Sequence, residues 1–245
     1  MKIVIIVQAR MTSTRLPGKI LKEVMGKPLL EYQIERLKRV TLADDIVIAT
    51  TDKDTDLPII NLCKKLDINY YCGSEDDVLA RYYHAAKQYR ADHVVRITSD
   101  CPIIDPQVVD QVIGFYLGKN NNCDCVANGI QRTYPRGMDT EVFAFSLLED
   151  AFFKAKVDYE REHVTPYIYA NNDTYNIKNY SYKKNCSQHR WTVDTPEDFM
   201  LIKNIIEKLY IEKNNFTLED CLDLLDKNPQ WTKLNAHIEQ KKLGE

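Results

Sequence analysis

Between Gln8 and Lys19 the chain sets three cations, Arg10, Arg15 and Lys19, among three hydroxyl residues, Thr12, Ser13 and Thr14. Phosphate groups need fixed cations and inward-pointing backbone N–H groups, and this segment offers both. Neither GxxxxGK[ST] nor GxGxxG occurs in it, so it is not one of the two familiar glycine-rich phosphate loops. A solvated basic loop would have the same composition.

Two acids stand in similar company. Asp100, in Arg96-Ile97-Thr98-Ser99-Asp100-Cys101-Pro102, and Asp194, after Arg190-Trp191-Thr192-Val193, each stand just past a predicted strand. Carboxylates at the ends of two strands suit an Mg²⁺ ion held by few protein ligands and by substrate phosphates. Each acid also has an ordinary reading, Asp100 as a turn residue and Asp194 as the N-cap of a helix beginning near Pro196. Arg136, Asp139 and Glu141 form a third cluster, with Arg161 and His163 further on, and these could receive an anionic acceptor. A surface ion-pair network is the competing reading there.

These residues need elements to hold them. Ile3 to Val7 is an unbroken β-branched run, the mark of a strand covered on both faces. Asp45–Thr50 and His93–Thr98 read as further strands of this kind, Ile68–Cys72 as a short one, and His189–Val193 as another. Helical patterns open at Pro28 and cover Asp56–Leu66, Asp76–Tyr89, with Asp76 near its start, and Pro106–Leu117. Strand and helix alternate at βαβ length, which predicts an α/β, Rossmann-like, doubly wound and mostly parallel sheet. The loop and both acids then lie at carboxyl ends of strands, where such sheets bind ligands.

From Lys119 the rhythm breaks. Asn120-Asn121-Asn122 reads as a turn and Asp139–Phe145 alternates like an exposed or edge strand, so a small inserted β region is expected over about 119–145. Helices are expected at Ser146–Ala155, Glu160–Ala170 and after Thr195-Pro196-Glu197, with a peripheral helix and tail over about 213–245. No Pro/Gly/Ser-rich linker divides the chain, so one domain over 1–245 is expected. The net charge of −3 argues against nucleic acid as a partner. No membrane-spanning or signal segment is expected, since the first apolar run is short and leads into Gln8-Ala9-Arg10. Seven cysteines without a CxxC pair suggest free thiols and a cytoplasmic location rather than a zinc site.

With the motifs in order, the chain resembles the cytidylyltransferases that make CMP-activated sugar acids, and within them the branch called spore coat polysaccharide biosynthesis protein F. The resemblance runs to about Tyr210 and rests on QARMTSTRLPGK (8–19), GKPLLEYQIERLK (26–38), GSEDDVLARYY (73–83), RITSDCPIIDP (96–106), YPRGMDTEVF (134–143), EREHVTPYIY (160–169) and WTVDTPEDF (191–199). It implies CTP in the first loop, with Arg10, Arg15 and Lys19 on the triphosphate and Ala9 and Ser13 beside them. It also implies Ser74 and Arg81 near the base and ribose, Ser99 at the nucleotide, and Mg²⁺ on Asp100 and Asp194. Arg10, Lys19 and Asp100 would be the catalytic groups, and a homodimer is implied as the assembly. Where related synthetases carry QGDEP, this chain has TSDCP, so Ser99 and Cys101 replace Gly and Glu beside the reacting phosphate.

The function implied is transfer of CMP from CTP to a small acidic acceptor, a sugar acid, phosphosugar or relative, serving polysaccharide precursor synthesis. A nucleotide-sugar-dependent glycosyltransferase is the rival, since Asp52-x-Asp54 and Asp54-x-Asp56 spell its metal-binding pattern. A catalytically silent nucleotide-binding protein is the third reading, and the intact acids and cations weigh against it.

Overall fold

The structure, a computed structural model, describes residues 1–119 and 121–240. In chain order the elements are β1 (Ile3–Gln8), β2 (Glu23–Val24), β3 (Lys27–Pro28), α1 (Leu29–Leu37), β4 (Asp45–Thr51), α2 (Leu57–Lys65), β5 (Asn69–Gly73), α3 (Val78–Gln88), β6 (His93–Thr98) and α4 (Pro106–Leu117). There follow β7 (Cys125–Ala127), β8 (Glu141–Ala144), α5 (Phe145–Lys154), α6 (Asp158–His163), α7 (Pro166–Ala170), β9 (Ile177–Asn179), α8 (Pro196–Glu212), α9 (Leu218–Lys227) and α10 (Pro229–Thr232).

Seven strands form one mixed sheet in the order β5-β4-β1-β6-β8-β7-β9. β1 pairs in parallel with β4 and β6, and alternate residues feed opposite faces. Ile3, Ile5 and Val7 pack with α1, α2 and α4, while Val4 and Ile6 pack with α3 and α5. This two-sided cover is why the run carries no polar residue. The expected α/β, Rossmann-like, mostly parallel sheet is the fold observed.

Local signals set the helix starts. α4 has the predicted bounds, because Asp105 accepts the Gln107 N–H at 2.8 Å and Pro106 takes the first turn. α3 is capped by Asp77, one residue beyond Asp76, through the Ala80 N–H at 2.9 Å. The helix predicted over Glu160–Ala170 is split into α6 and α7. Pro166 cannot continue a helix, and Val164 turns the chain with φ 73° while the Thr165 N–H donates to the His163 carbonyl at 2.9 Å.

Three expectations change. β8 is an interior strand rather than an exposed edge, antiparallel to both β6 and β7, with Val142 and Phe143 fully buried. The segment His189–Val193 forms no strand and makes one isolated bridge, Arg136 to Arg190. The segment after 213 is less peripheral than expected: Leu218, Cys221, Leu224 and Leu225 of α9 join a buried cluster with Trp191 and α8. Of the predicted asparagine turn, Asn120 lies outside the described residues, as do 241–245 of the predicted tail.

Candidate active site

β1 is the point at which the sheet changes direction, since β4 and β5 extend to one side and the chain crosses over to β6 on the other. The crevice of such a sheet opens beyond the carboxyl ends of these strands. Gln8 ends β1 opposite Ala49 and Thr98, so the loop that follows leaves from the crevice floor. The Ala9 N–H donates to the Ala49 carbonyl at 3.0 Å and extends the strand by one residue. The loop is then drawn closed by the Gly18 N–H on the Met11 carbonyl at 2.9 Å. Gly18 has φ 66°, a left-handed conformation that costs glycine little.

Asp56 pins the loop from outside. One of its oxygens accepts the Met11 N–H at 2.8 Å, the other the hydroxyls of Thr50 and Thr51, and the residue is 1% exposed. The last carboxylate of the Asp52–Asp56 pattern is therefore consumed in holding β4 to the loop, which removes it from a glycosyltransferase-type metal pair.

Asp100 and Asp194 meet across the crevice at Lys19. The Lys19 ammonium lies 2.7 Å from Asp194 Oδ1 and 3.7 Å from Asp100 Oδ2, and Arg15 reaches the same Asp194 oxygen at 3.0 Å. Asp194 arrives there because its extended segment is bonded on both sides. The Val193 N–H donates to the Asp100 carbonyl at 2.8 Å, and the Trp191 N–H to the Arg136 carbonyl at 2.8 Å. Gly137 permits that approach: it has φ 102°, and a Cβ there would stand 2.8 Å from the Trp191 carbonyl. The N-cap of α8 is Thr195, whose hydroxyl accepts the Asp198 N–H at 3.3 Å. Asp194 is thus not needed as the cap.

Burial alone would raise the Asp194 carboxyl, but Lys19, Arg15 and Arg190 outweigh it and hold the carboxyl below its usual range. Burial would likewise lower the Lys19 ammonium, and Asp100 and Asp194 carry it above its usual value. A depressed carboxylate stabilises the fold above its unfolded pKa, about 3.9, and that contribution is lost as pH falls through the folded value. Asp194→Asn leaves three cations short of a partner. It is expected to cost about 3 kcal/mol at pH 7, roughly 6–12 °C in Tm for a chain of this size. Melting curves from pH 7 to pH 2 check this: the gap to wild type should close in acid, below the ordinary carboxylate range. A gap constant with pH would mean that the charge contributes nothing.

Beside this cluster lies a cavity of about 570 Å³ between β6, β7 and β8. Arg96 and Glu141 pair on its wall, and Glu141 also accepts from the Tyr169 and Thr165 hydroxyls. Arg132 pairs with Asp139, which also accepts the Gly137 N–H at 2.9 Å. Thr98 joins cavity to crevice, since it lines the one while its hydroxyl donates to Asp100 at 2.5 Å.

A crevice of cations and paired acids with an adjoining cavity is what a nucleotide-using transferase requires, and comparison with known proteins decides which. The cytidylyltransferase sequence profile matches residues 4–227. The chain belongs to the cytidylyltransferase family. It is 32% identical over 234 residues to the spore coat polysaccharide biosynthesis protein SpsF of Bacillus subtilis, covering 93% of this chain and 95% of that one, in accord with the branch expected. A 3-deoxy-manno-octulosonate cytidylyltransferase of Geobacter metallireducens is 30% identical over 113 residues, 46% of this chain and 44% of its own. The solved structure of a cytidylyltransferase from Leptospira borgpetersenii superposes with a TM-score of 0.91 at 34% identity, over 99% of this chain and 100% of that chain.

Within this cytidylyltransferase the expected site residues are distributed as follows. Arg10, Ser13, Arg15 and Lys19 share the loop, and Arg10 has no ion-pair partner among the described residues. Ser99 follows β6, its N–H on the Gln8 carbonyl at 3.2 Å. Ser74 and Arg81 are joined by a 2.6 Å bond from the guanidinium to the Ser74 carbonyl, and the Arg81 Nε is buried without a partner.

The expected acceptor residues separate. Asp139 and Glu141 line the cavity, whereas Arg136, Arg161 and His163 do not. Arg161 is engaged elsewhere, on Asp77 at 2.6 Å and the Phe152 carbonyl at 2.8 Å, where it ties α6 to the start of α3. His163 is pushed below its ordinary pKa by burial, with Glu162 opposing the shift and Arg96 adding to it. Arg136 lies near Arg132, Asp139 and Arg190 rather than in the wall.

Arg96, Arg132, Tyr169 and Arg190 were not singled out in the sequence. Arg96 had a signal, a charge inside the apolar run HVVRIT that demands a buried partner. Arg132 and Arg190 had acids nearby in the chain, Asp139 seven residues on and Asp194 four, whereas Tyr169 had no signal, because its partner Glu141 is 28 residues away.

Proposed function

We propose that this cytidylyltransferase transfers CMP from CTP to a small acidic, sugar-like acceptor with release of pyrophosphate, supplying a precursor for polysaccharide synthesis in the cytoplasm. The observation that carries the reading is the Lys19 ammonium between Asp100 and Asp194, beside a cavity that shares Thr98 with the crevice. An acceptor oxygen bonds to the α-phosphorus while the bond from that phosphorus to the pyrophosphate oxygen breaks in line.

The chain's own residues have distinct parts in this step. Arg10, Arg15 and Lys19 take the triphosphate and the charge that grows on the leaving pyrophosphate. The cavity wall orients the acceptor so that its oxygen faces the phosphorus, which supplies much of the rate.

The residues fit a hard divalent cation. Asp100 and Asp194 offer only oxygen donors, and a cationic group already stands between them. Among the described residues no set of three His, Cys, Asp or Glu gathers in metal-binding fashion, so phosphate oxygens would complete the shell. Charge balance argues the same way. Arg15, Lys19 and Arg190 are matched by Asp100, Asp194 and Asp198, so the cluster alone has little positive charge to spare for a triphosphate. Mg²⁺ held by Asp100 and Asp194 would supply neutralisation of the α-phosphate.

Pyrophosphate release tests the reading, screened with four nucleoside triphosphates against sugar acids, phosphosugars and phosphonates. Release with CTP and one acceptor class is expected. Consumption of a nucleotide-sugar without pyrophosphate release would overturn it in favour of glycosyl transfer.

A further inference from the structure

We propose that Arg190 is a positioning residue that fixes Asp194 in the crevice, and that the segment around Asn235 to Gln240 is the part of the chain that locks Arg190. The inference rests on the reading of Asp194 as a ligand of the CTP-bound cation.

Arg190 is 7% exposed and its donors are shared among three side chains. Nη2 donates to Asp194 Oδ2 at 2.6 Å and Asp198 Oδ2 at 3.2 Å, Nε to Asp198 Oδ1 at 3.0 Å, and Nη1 to Gln240 Oε1 at 2.6 Å. Asn235 closes the network, its Nδ2 donating to the Arg190 carbonyl and to Asp198 Oδ1, both at 2.8 Å. Asp198 is itself held by the α8 start, accepting the Asp194 and Thr195 N–H groups at 3.0 and 3.1 Å.

A planar guanidinium tied on three sides has one orientation, which a lysine could not reproduce. It therefore dictates where the Asp194 carboxylate points. Oδ2 is turned to Arg190, and Oδ1 is left facing Lys19 and Arg15. Those two cations come from the nucleotide loop and leave Oδ1 when phosphates draw them away, whereas Arg190, built into the segment beneath, stays. Buried ion pairs contribute little net stability and are better suited to fixing one geometry. The predicted tail thus reaches the site through Arg190.

The test is calorimetric titration of CTP without acceptor over a series of Mg²⁺ concentrations, with melting temperatures alongside. Arg190→Lys is expected to raise the Mg²⁺ concentration for half-maximal CTP binding by about 10–100-fold, with CTP binding in the absence of Mg²⁺ changed less than about twofold. Gln240→Ala, at an exposed position that leaves the core untouched, should shift it the same way by a few fold, and Asn235→Ala by more. An unchanged midpoint in Arg190→Lys and Gln240→Ala would overturn the proposal, as would an equal loss of binding with and without Mg²⁺. Should Arg190→Lys fail to fold, Gln240→Ala decides alone. Failure of the underlying reading looks different: wild-type protein would then bind CTP no more tightly with Mg²⁺ than without.

Discussion

Asp100→Asn is expected to lower the rate of pyrophosphate release from CTP by two to three orders of magnitude at saturating acceptor while leaving the melting temperature within a few degrees of wild type. The asymmetry comes from the site's geometry. Asparagine keeps the shape of the side chain and can still accept from the Thr98 hydroxyl, which donates to Asp100 Oδ1 at 2.5 Å. Lys19 loses only its more distant partner, at 3.7 Å, and keeps Asp194 at 2.7 Å. What disappears is the negative charge just past the end of β6, which the proposed mechanism uses. Loss of one preorganised charge-stabilising group costs about 2.7–4 kcal/mol of barrier, a factor of 10²–10³. Steady-state pyrophosphate assays measure it, and a rate within tenfold of wild type would remove Asp100 from the mechanism.

Lys19→Met should lower kcat/KM for CTP by about 10²–10³-fold, and Lys19→Arg should recover part of the loss. Methionine matches the length of the lysine stem without the charge, so the loop keeps its packing and loses the cation nearest both acids. In the proposed mechanism the charge acts twice: it holds Asp194 and Asp100 together before nucleotide binds, and it meets the leaving pyrophosphate as negative charge develops. The second role must depress kcat as well as affinity, so kcat and KM measured separately distinguish it from simple phosphate binding. If KM alone rises with kcat intact, Lys19 binds CTP without assisting the step.

How far the site was legible depends on whether each interaction is local. The loop is written contiguously from Gln8 to Lys19, and its place follows from an apolar strand before it. Asp100 could be named for the same reason, two residues past the run His93–Thr98, whereas Asp194 follows His189–Val193, which forms no strand. Their convergence on one lysine could not be seen in the sequence, since it requires residues 19, 100 and 194 to meet. The cap reading of Asp194 fails because Thr195 and Asp198 form a complete capping box one residue later.

The acceptor side was legible mainly as composition. Asp139–Phe145 reads as an exposed or edge strand because its residues alternate, yet β8 sits between β6 and β7, and Arg96 of β6 with Tyr169 of α7 and Thr165 at its N-cap satisfy the Glu141 carboxylate. Arg161 looked like an anion receptor and is consumed by Asp77, 84 residues earlier.

The sequence by itself determined the alternation of buried strands and capped helices, the doubly wound class, the basic loop after β1 and the acid after β6, because periodicity, caps and strand-to-loop transitions depend on residues close in the chain. Only the tertiary structure decided which charges are paired and which are left to meet a ligand. Asp56, Arg161 and Asp198 are spent on holding the frame, while Arg10 keeps no ion-pair partner among the described residues and Lys19 bridges the two acids. Ion pairing depends on distance in space, and in this chain the partners that matter lie on different elements.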